Sequence, residues 1–563
     1  MNVRRALAVL VVGPSLVTAC TAAPSLPAEP PATVLECDPG LEDGFRPWGE
    51  AGFSGSIAIS AEGEFDCLAG YGWADTATET PNTAKTVFSI GSVAKAFTAA
   101  AVLGLVDDGE LALDDQAGEI LPELGGPAAE ATIEQLLLHT SGLTGAHGSD
   151  HEPLERAAAL TAISGLEQEF EPGTDYLYSN AGYTLLALVI DEVTGSYRDH
   201  MAAEVLPLPD GEAAGGFWDG DPAAPGPRAV GYDKDGTAAA ETGDFHGPHW
   251  ALSGNGDLAM TVRDLAAWTH ALFTGEIVSP EAVETLSSPG FDLGDGGAET
   301  PGWMRLDASA YGEPVLVTTG GGGDIGHTTA LAWLPDSERV IAIASNTPDV
   351  TAEDLLRAVG AALAADEPIP PPEEPAGDVD PDELAKDAGT YELETGDSFV
   401  VTADEGGLAV AAHGAGAVAA LFPPAGGFTA GDVTDHQDRV LALLAGKTKE
   451  GREERELLEA DLGPIDAIEP IGTIAEDGEL HTYVTLTTGA ESTTLWYALD
   501  EHGGIAAVHG PAEPPTLQLV PSPSGGYRPA DPTGTGPDVT VDFRDGHMTV
   551  TGPNGSAKAR STD

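Results

Sequence analysis

A chain of 563 residues is too long for one ordinary domain and predicts two or three. Its 42% hydrophobic residues can build a sizeable core, which excludes wholesale disorder. Against 23 basic residues stand 92 acidic ones, a formal net charge of -69 that repels nucleic-acid phosphates and anionic lipid headgroups and excludes both as partners.

In chain order, Arg4 and Arg5 precede the apolar run Ala6 to Val12 and then Gly13-Pro14-Ser15-Leu16-Val17-Thr18-Ala19-Cys20. The run is too short to span a bilayer and has signal-peptide flanks. Its Val17-Thr18-Ala19-Cys20 ending resembles the lipobox of bacterial lipoproteins, so Cys20 is the expected lipidated residue of an exported protein. Residues 21–40, rich in Pro, Ala and Ser up to Thr33, are expected to tether a domain to the outer face of the cytoplasmic membrane, through the lipid anchor alone. Cys37 and Cys67 remain. Outside the cytosol a remainder of two favours one disulfide tying the lead-in to an early strand, with two buried thiols as the alternative. Neither has metal-ligand spacing.

Ser54 to Ser60 and Phe65 to Tyr71 predict a hairpin around Ala61-Glu62-Gly63-Glu64. Next comes Phe88-Ser89-Ile90-Gly91-Ser92-Val93-Ala94-Lys95-Ala96-Phe97-Thr98, at the start of a helical run from Val93 to Asp108 that Gly109 closes. A serine in the first turn has Lys95 one turn on, on the same face, so the amine can reach the hydroxyl. The helix's positive end favours the charge that grows as the serine attacks. An N-cap serine beside a solvated lysine is the plainer alternative.

Thr132 to His139 begins as an N-capped helix with Gln135 in the capping-box position, and His139-Thr140-Ser141-Gly142-Leu143 breaks it. Glu171-Pro172-Gly173 opens a loop carrying Tyr178-Ser179-Asn180, before an apolar helix from Ala181 to Val193. Pro207 to Pro248, rich in Gly, Pro, Ala and Asp, predicts a long surface loop region. A helix from Thr261 to Phe273 follows, then strands Val315 to Thr319, Thr328 to Leu334 and Arg339 to Ser345, and a helix from Ala352 to Ala365. A hairpin in front, helices between and strands behind predict one antiparallel sheet flanked by helices, an α/β domain over residues 41–365. Asp366 to Glu383 reads as a Pro-rich acidic linker. Over residues 384–563 the helix signal mostly vanishes and short strands between Gly and Asp turns predict a β-rich domain, a barrel or sandwich.

These residues resemble the serine β-lactamase and penicillin-binding-protein superfamily, most closely its class C branch of D,D-carboxypeptidases, D-aminopeptidases and carboxylesterases. The resemblance covers roughly Phe53 to Ala364. It rests on Gly70-Tyr71-Gly72-Trp73-Ala74-Asp75, the Phe88 to Asp115 block, Leu136-Leu137-Leu138-His139-Thr140-Ser141-Gly142-Leu143 and Tyr178-Ser179-Asn180, in that order. It implies a β-lactamase-like sheet with a helical subdomain, and the β-rich tail resembles the lipocalin-like domains behind such hydrolases.

By this resemblance Ser92 is the nucleophile that forms an acyl-enzyme, and Lys95 and Tyr178 share the proton work. Asn180 would position the lysine and the substrate, with the alternative of capping the next helix. Thr319 and Gly320 would line the substrate strand. There the family usually carries Lys or His, but this chain reads Thr318-Thr319-Gly320-Gly321-Gly322-Gly323. The oxyanion N–H survives such a change, while the cation that pairs with a substrate carboxylate does not. His327 and Arg305 are candidate replacements. His139 reads as structural, and His147 with His151 and His246 with His249 as surface loop histidines rather than a metal site. No cofactor or metal is expected. The expected partner is a small-molecule or peptide ester or amide, with a D-peptide or β-lactam as further options. A non-catalytic penicillin-recognising or wall-binding lipoprotein is the competing reading. Oligomeric state is left open.

Overall fold

The computed structural model describes residues 32–562 apart from short stretches, the longest being 240–248 and 374–383. The expected leader, Cys20 and most of the tether lie outside the described residues. No described helix is long and apolar enough to cross a membrane.

Nine strands form one antiparallel sheet. The front of the chain supplies β1 (Thr33–Cys37), β2 (Gly55–Ala61) and β3 (Glu64–Tyr71). The back supplies β4 (Phe291–Gly294), β5 (Gly297–Thr300), β6 (Trp303–Leu306), β7 (Val315–Gly322), β8 (His327–Leu334) and β9 (Arg339–Ser345). Their order is β1-β3-β2-β9-β8-β7-β6-β5-β4. The seam pairs Ile57 with Ile343 and Ile59 with Ile341, so both ends of the domain share the sheet, as its order of elements predicts.

Six helices position the site: α1 (Pro39–Glu50), α2 (Ala94–Asp107), α3 (Asn180–Thr194), α4 (Val262–Phe273), α5 (Ala308–Tyr311) and α6 (Ala352–Ala364). Alternate strand residues face opposite layers. Ile57, Ile59, Ile341 and Ile343 pack with Phe45 and Trp48 of α1 and Leu355 and Val359 of α6. Ala58, Val340 and Ala342 join the other layer, with α2, α3 and α4. Helix α2 is buried on nearly every side from Ala94 to Leu103, which suits a run with no polar face.

Three expectations need correction here. The tether reading of residues 21–40 ends too late, because Thr33–Cys37 is the edge strand β1. Its half-exposed residues show no alternation, so the strand leaves no periodic trace. Within the expected surface loop, Gly215–Phe217 is a buried strand paired with Leu258–Thr261, a run too short and glycine-rich to signal itself.

The tail is β-rich, as expected, and the third correction concerns the helices inside it. Strands Gly389–Glu392, Ser398–Ala403, Leu408–His413, Thr516–Pro521, Tyr527–Pro529, Thr540–Arg544, His547–Gly552 and Gly555–Ser561 close into a barrel. Between the third and fourth of these, however, the chain forms helices Ala415–Leu421, Ala430–Leu444 and Lys449–Leu462, then a four-stranded sheet. Helix Ala430–Leu444 starts at a capping box of Thr429 and Asp432 but buries only Val440, Leu443 and Leu444, too narrow a stripe to read as periodic. Helix Ala415–Leu421 drives Val418 and Leu421 among Phe399, Val410, Val541 and Val550, so side chains fill the barrel.

Cys37 and Cys67 face each other across β1 and β3 and form a disulfide. It closes a loop of sequence separation 30. Replacing both by serine is expected to lower unfolding free energy by about 3 kcal/mol, mostly by freeing the unfolded chain. Denaturant unfolding with and without reductant measures it; equal midpoints would rule the bond out as a stabilising link.

Candidate active site

Ser92 sits in the short helical turn Gly91–Val93 that leads into α2. The turn and β7 meet backbone to backbone. A Cβ on Gly320 would lie 2.3 Å from the Ile90 carbonyl oxygen and 2.5 Å from the Ser92 nitrogen. One on Gly91 would lie 2.4 Å from the Gly321 nitrogen, and Gly91 has a φ of 49°. Both glycines are required by close approach. Strand β6 pairs only with Val315 to Val317, so the edge of β7 from Thr318 to Gly322 faces the site.

Helix α2 places Lys95 one turn beyond the serine. Its Nζ donates to Ser92 Oγ at 3.0 Å, to Asn180 Oδ1 at 2.7 Å and to the Asn255 carbonyl at 3.2 Å. Lys95 is 3% exposed, so these oxygens replace water. The Tyr178 hydroxyl donates to Ser92 Oγ at 2.7 Å. Half of the Tyr178 ring is open to the cleft, but its hydroxyl points inward, and burial there pushes the phenol up to about 12, against the bond with Ser92. Asn180 is the first residue of α3, whose N-cap is Ser179, accepting from the Gly182 N–H. Its side chain is thus free for the lysine. Ser92, Lys95, Tyr178 and Asn180 come together, and Thr319 lines the same cleft. Gly320 sets the approach of strand and turn.

His327 lies opposite Gly322 in β8. It is 1% exposed, packed against the rings of Phe88 and Trp218, with Nδ1 accepting from the Ser89 N–H at 3.2 Å. Burial lowers its pKa to about 4, so it supplies no cation at neutral pH. Arg305 alternates with Met304 and Leu306, which line the cleft while it does not. Neither residue replaces the missing charge.

Sequence reasoning missed a buried group behind Tyr178. Glu299 on β5 is 6% exposed, hydrogen-bonded to Tyr176, with Oε1 4.0 Å from His139 Nε2. Burial raises its pKa to about 8 despite that bond and the charge of Lys95. His139 Nδ1 accepts from the Ser179 N–H at 3.0 Å, which leaves the proton of the neutral ring on Nε2, facing Glu299. Burial, then the charge of Lys95, keeps His139 well below its ordinary range. Its ring lies 4.5 Å from that of Tyr178. His139 does satisfy a backbone group, as its sequence position suggests, and it is also a wall of the site. A lone Glu among 92 acidic residues carried no signal.

His147 and His249 are 7% and 5% exposed, which corrects the surface reading. His147 Nε2 bonds Thr184 Oγ1 and the Ala251 carbonyl, because this loop packs over α3. His151 and His246 lie outside the described residues. Among the described residues no three His, Cys, Asp or Glu side chains are grouped to hold a metal.

A hydroxyl on a helix-leading turn, bonded to a buried amine and a phenol beside an open strand edge, defines a serine-hydrolase type of site on an α/β fold. The family model Beta-lactamase matches residues 49–366, more than half of the chain, and the chain belongs to that family. It is 30% identical over 250 residues to the PbpX protein of Bacillus subtilis (strain 168), covering 43% of this chain and 60% of that one. It is 24% identical to penicillin-binding protein 4* of the same organism, covering 62% and 82%. The solved octameric penicillin-binding protein homologue from Pyrococcus abyssi shares the fold over 92% of this chain and 99% of its own, with a TM-score of 0.50 and 16% identity.

A carboxyl whose pKa is raised by folding favours the folded state at low pH, and that preference is lost as pH rises through the folded value. Stability of the native chain relative to Glu299→Gln, which keeps the shape of the neutral acid, is expected to fall between about pH 4.5 and about pH 8. Melting temperatures of the two proteins across that range test it. A difference that stays flat would mean that folding does not raise the Glu299 pKa.

Proposed function

We propose that the protein is an exported serine hydrolase that works through an acyl-enzyme on neutral ester or amide substrates. The observation that carries this reading is Ser92 Oγ within 3.0 Å of Lys95 Nζ and 2.7 Å of the Tyr178 hydroxyl. Once Lys95 has lost one of its three protons to solvent, Ser92 Oγ bonds to the substrate carbonyl carbon while its own proton passes to the Lys95 amine. The carbon–leaving-group bond then breaks. Tyr178, held as the phenol, gives its proton to the leaving alkoxide or amine and is reprotonated from Lys95. Water reverses these roles and frees Ser92. Donors for the oxyanion come from the Ser92 N–H and the open edge of β7.

Neutral substrates are favoured because the strand carries Thr318 and Thr319 where a cation would meet a carboxylate, and neither His327 nor Arg305 supplies one. The leader and the Val17-Thr18-Ala19-Cys20 sequence support action outside the cytoplasmic membrane from a lipid anchor.

The test is covalent labelling of the soluble form, lacking residues through Cys20, with a fluorophosphonate and a fluorescent penicillin, at low and high salt. Phosphonate labelling that vanishes in Ser92→Ala, with little penicillin labelling, is the expected result. No labelling of folded protein by either probe would sink the catalytic reading in favour of a binding lipoprotein. In the unlabelled enzyme, Tyr178→Phe is expected to cut kcat/KM on a small ester by roughly a hundredfold or more. A change of less than threefold would remove the phenol from the proton path.

A further inference from the structure

The cleft does not stop at the nucleophile. From Ser92 and Thr319 it runs, with a volume of about 480 Å³, over β6 and β7 to the groove between α5 and α6. That volume is within the range of small-molecule sites. Its far part is lined by Met304, Leu306, Val317, Tyr311, Leu356 and Ala361. Leu306, Val317, Tyr311 and Leu356 also belong to the core layer under α6, so these walls are fixed. Met304 stands 40% exposed at the edge of the groove, an apolar surface that a monomer leaves open at some cost.

The cation at the rim is paired. Arg357 donates to Asp354 Oδ1 at 2.7 Å and to Glu353 Oε1 at 2.8 Å, which directs its guanidinium along α6 to carboxylates of its own helix. One guanidinium shared by two carboxylates leaves the rim with no excess positive charge, so the groove offers contact area without a cation to select an anion. Its continuity with Ser92 lets a group joined to the carbonyl that the serine attacks extend into it.

We propose that this groove is a subsite for an uncharged alkyl or aryl group of the substrate, making the preferred substrate an ester or amide with an apolar arm. This rests on the acyl-transfer reading for the reaction, but the groove's affinity for such an arm does not. Each methylene buried there adds a factor of about three to four in kcat/KM until the groove is full.

Two series of esters separate the possibilities: methyl alkanoates, which lengthen the acyl side, and alkyl acetates, which lengthen the alcohol side. A rise in kcat/KM with chain length is expected in one of them, and Met304→Asp and Ala361→Trp flatten it. Melting temperatures near the native value show that the variants are folded. Binding of 2-alkanones of increasing length to Ser92→Ala, followed by calorimetry, reads the groove without chemistry. Affinity that grows with length, with no ester turned over by the native enzyme, would keep the subsite and reject the hydrolase. Chain-length independence in both ester series and in ketone binding, or tighter binding of chains ending in a carboxylate, would overturn the subsite.

Discussion

An amine taken out of water must be given oxygen atoms, and the burial of Lys95 dictates how this domain closes. Its three donors meet oxygens from three segments: Ser92 in the turn before α2, Asn180 at the start of α3, and the carbonyl of Asn255. Each is held by a local device. The N-cap of α3 is filled by Ser179, so the Asn180 amide can turn to the lysine. The Asn255 side chain bonds Thr184 Oγ1 and the Ala251 carbonyl, both at 2.8 Å, which fixes its own backbone oxygen toward Nζ. Remove any of these and a buried donor is left unmatched, which costs more than the bond itself is worth.

Around that one amine the site is otherwise uncharged. Glu299 is held protonated by burial up to about pH 8, His139 and His327 are held neutral by the same cause, and Tyr178 keeps its phenol proton. Glycines take the place of bulk where β7 meets the nucleophile turn. A charge that develops on a substrate oxygen in such surroundings is answered by Lys95 and backbone dipoles alone, at close range and low dielectric.

The readable parts of the site were those set by local geometry. Ser92 and Lys95 are three residues apart on a helical run, so their meeting follows from the pitch of a helix. The shared sheet was readable from the order of its strands. Tyr178 and Asn180 are different, since nothing in the residues alone brings a loop 86 positions away onto Ser92; family resemblance pointed to them and the hydrogen bond places them. Glu299 and Tyr176 had neither signal. Their contact depends on how β5 lies against the segment after His139, a tertiary fact with no short-range pattern. The tail helix after Thr429 fails for another reason, because its cap is readable but its apolar stripe is too thin to support a helix assignment.

The extreme acidity of the chain and the neutrality of its cleft bear on the same choice of substrate. A net charge of -69 sets up a field that opposes anions approaching from solution, and salt shortens its reach from about 10 Å at 0.1 M to about 3 Å at 1 M. Interactions inside a partly closed cleft are screened far less. High salt would therefore relieve the repulsion on the way in while leaving the missing cation beside Thr319 as costly to an anion as before. A neutral substrate with an apolar arm is indifferent to the first effect and untouched by the second, and salt that strengthens apolar association favours it. Surface charge and cleft chemistry thus select in the same direction at low ionic strength, one through encounter and the other through binding, and at high ionic strength the cleft selects alone.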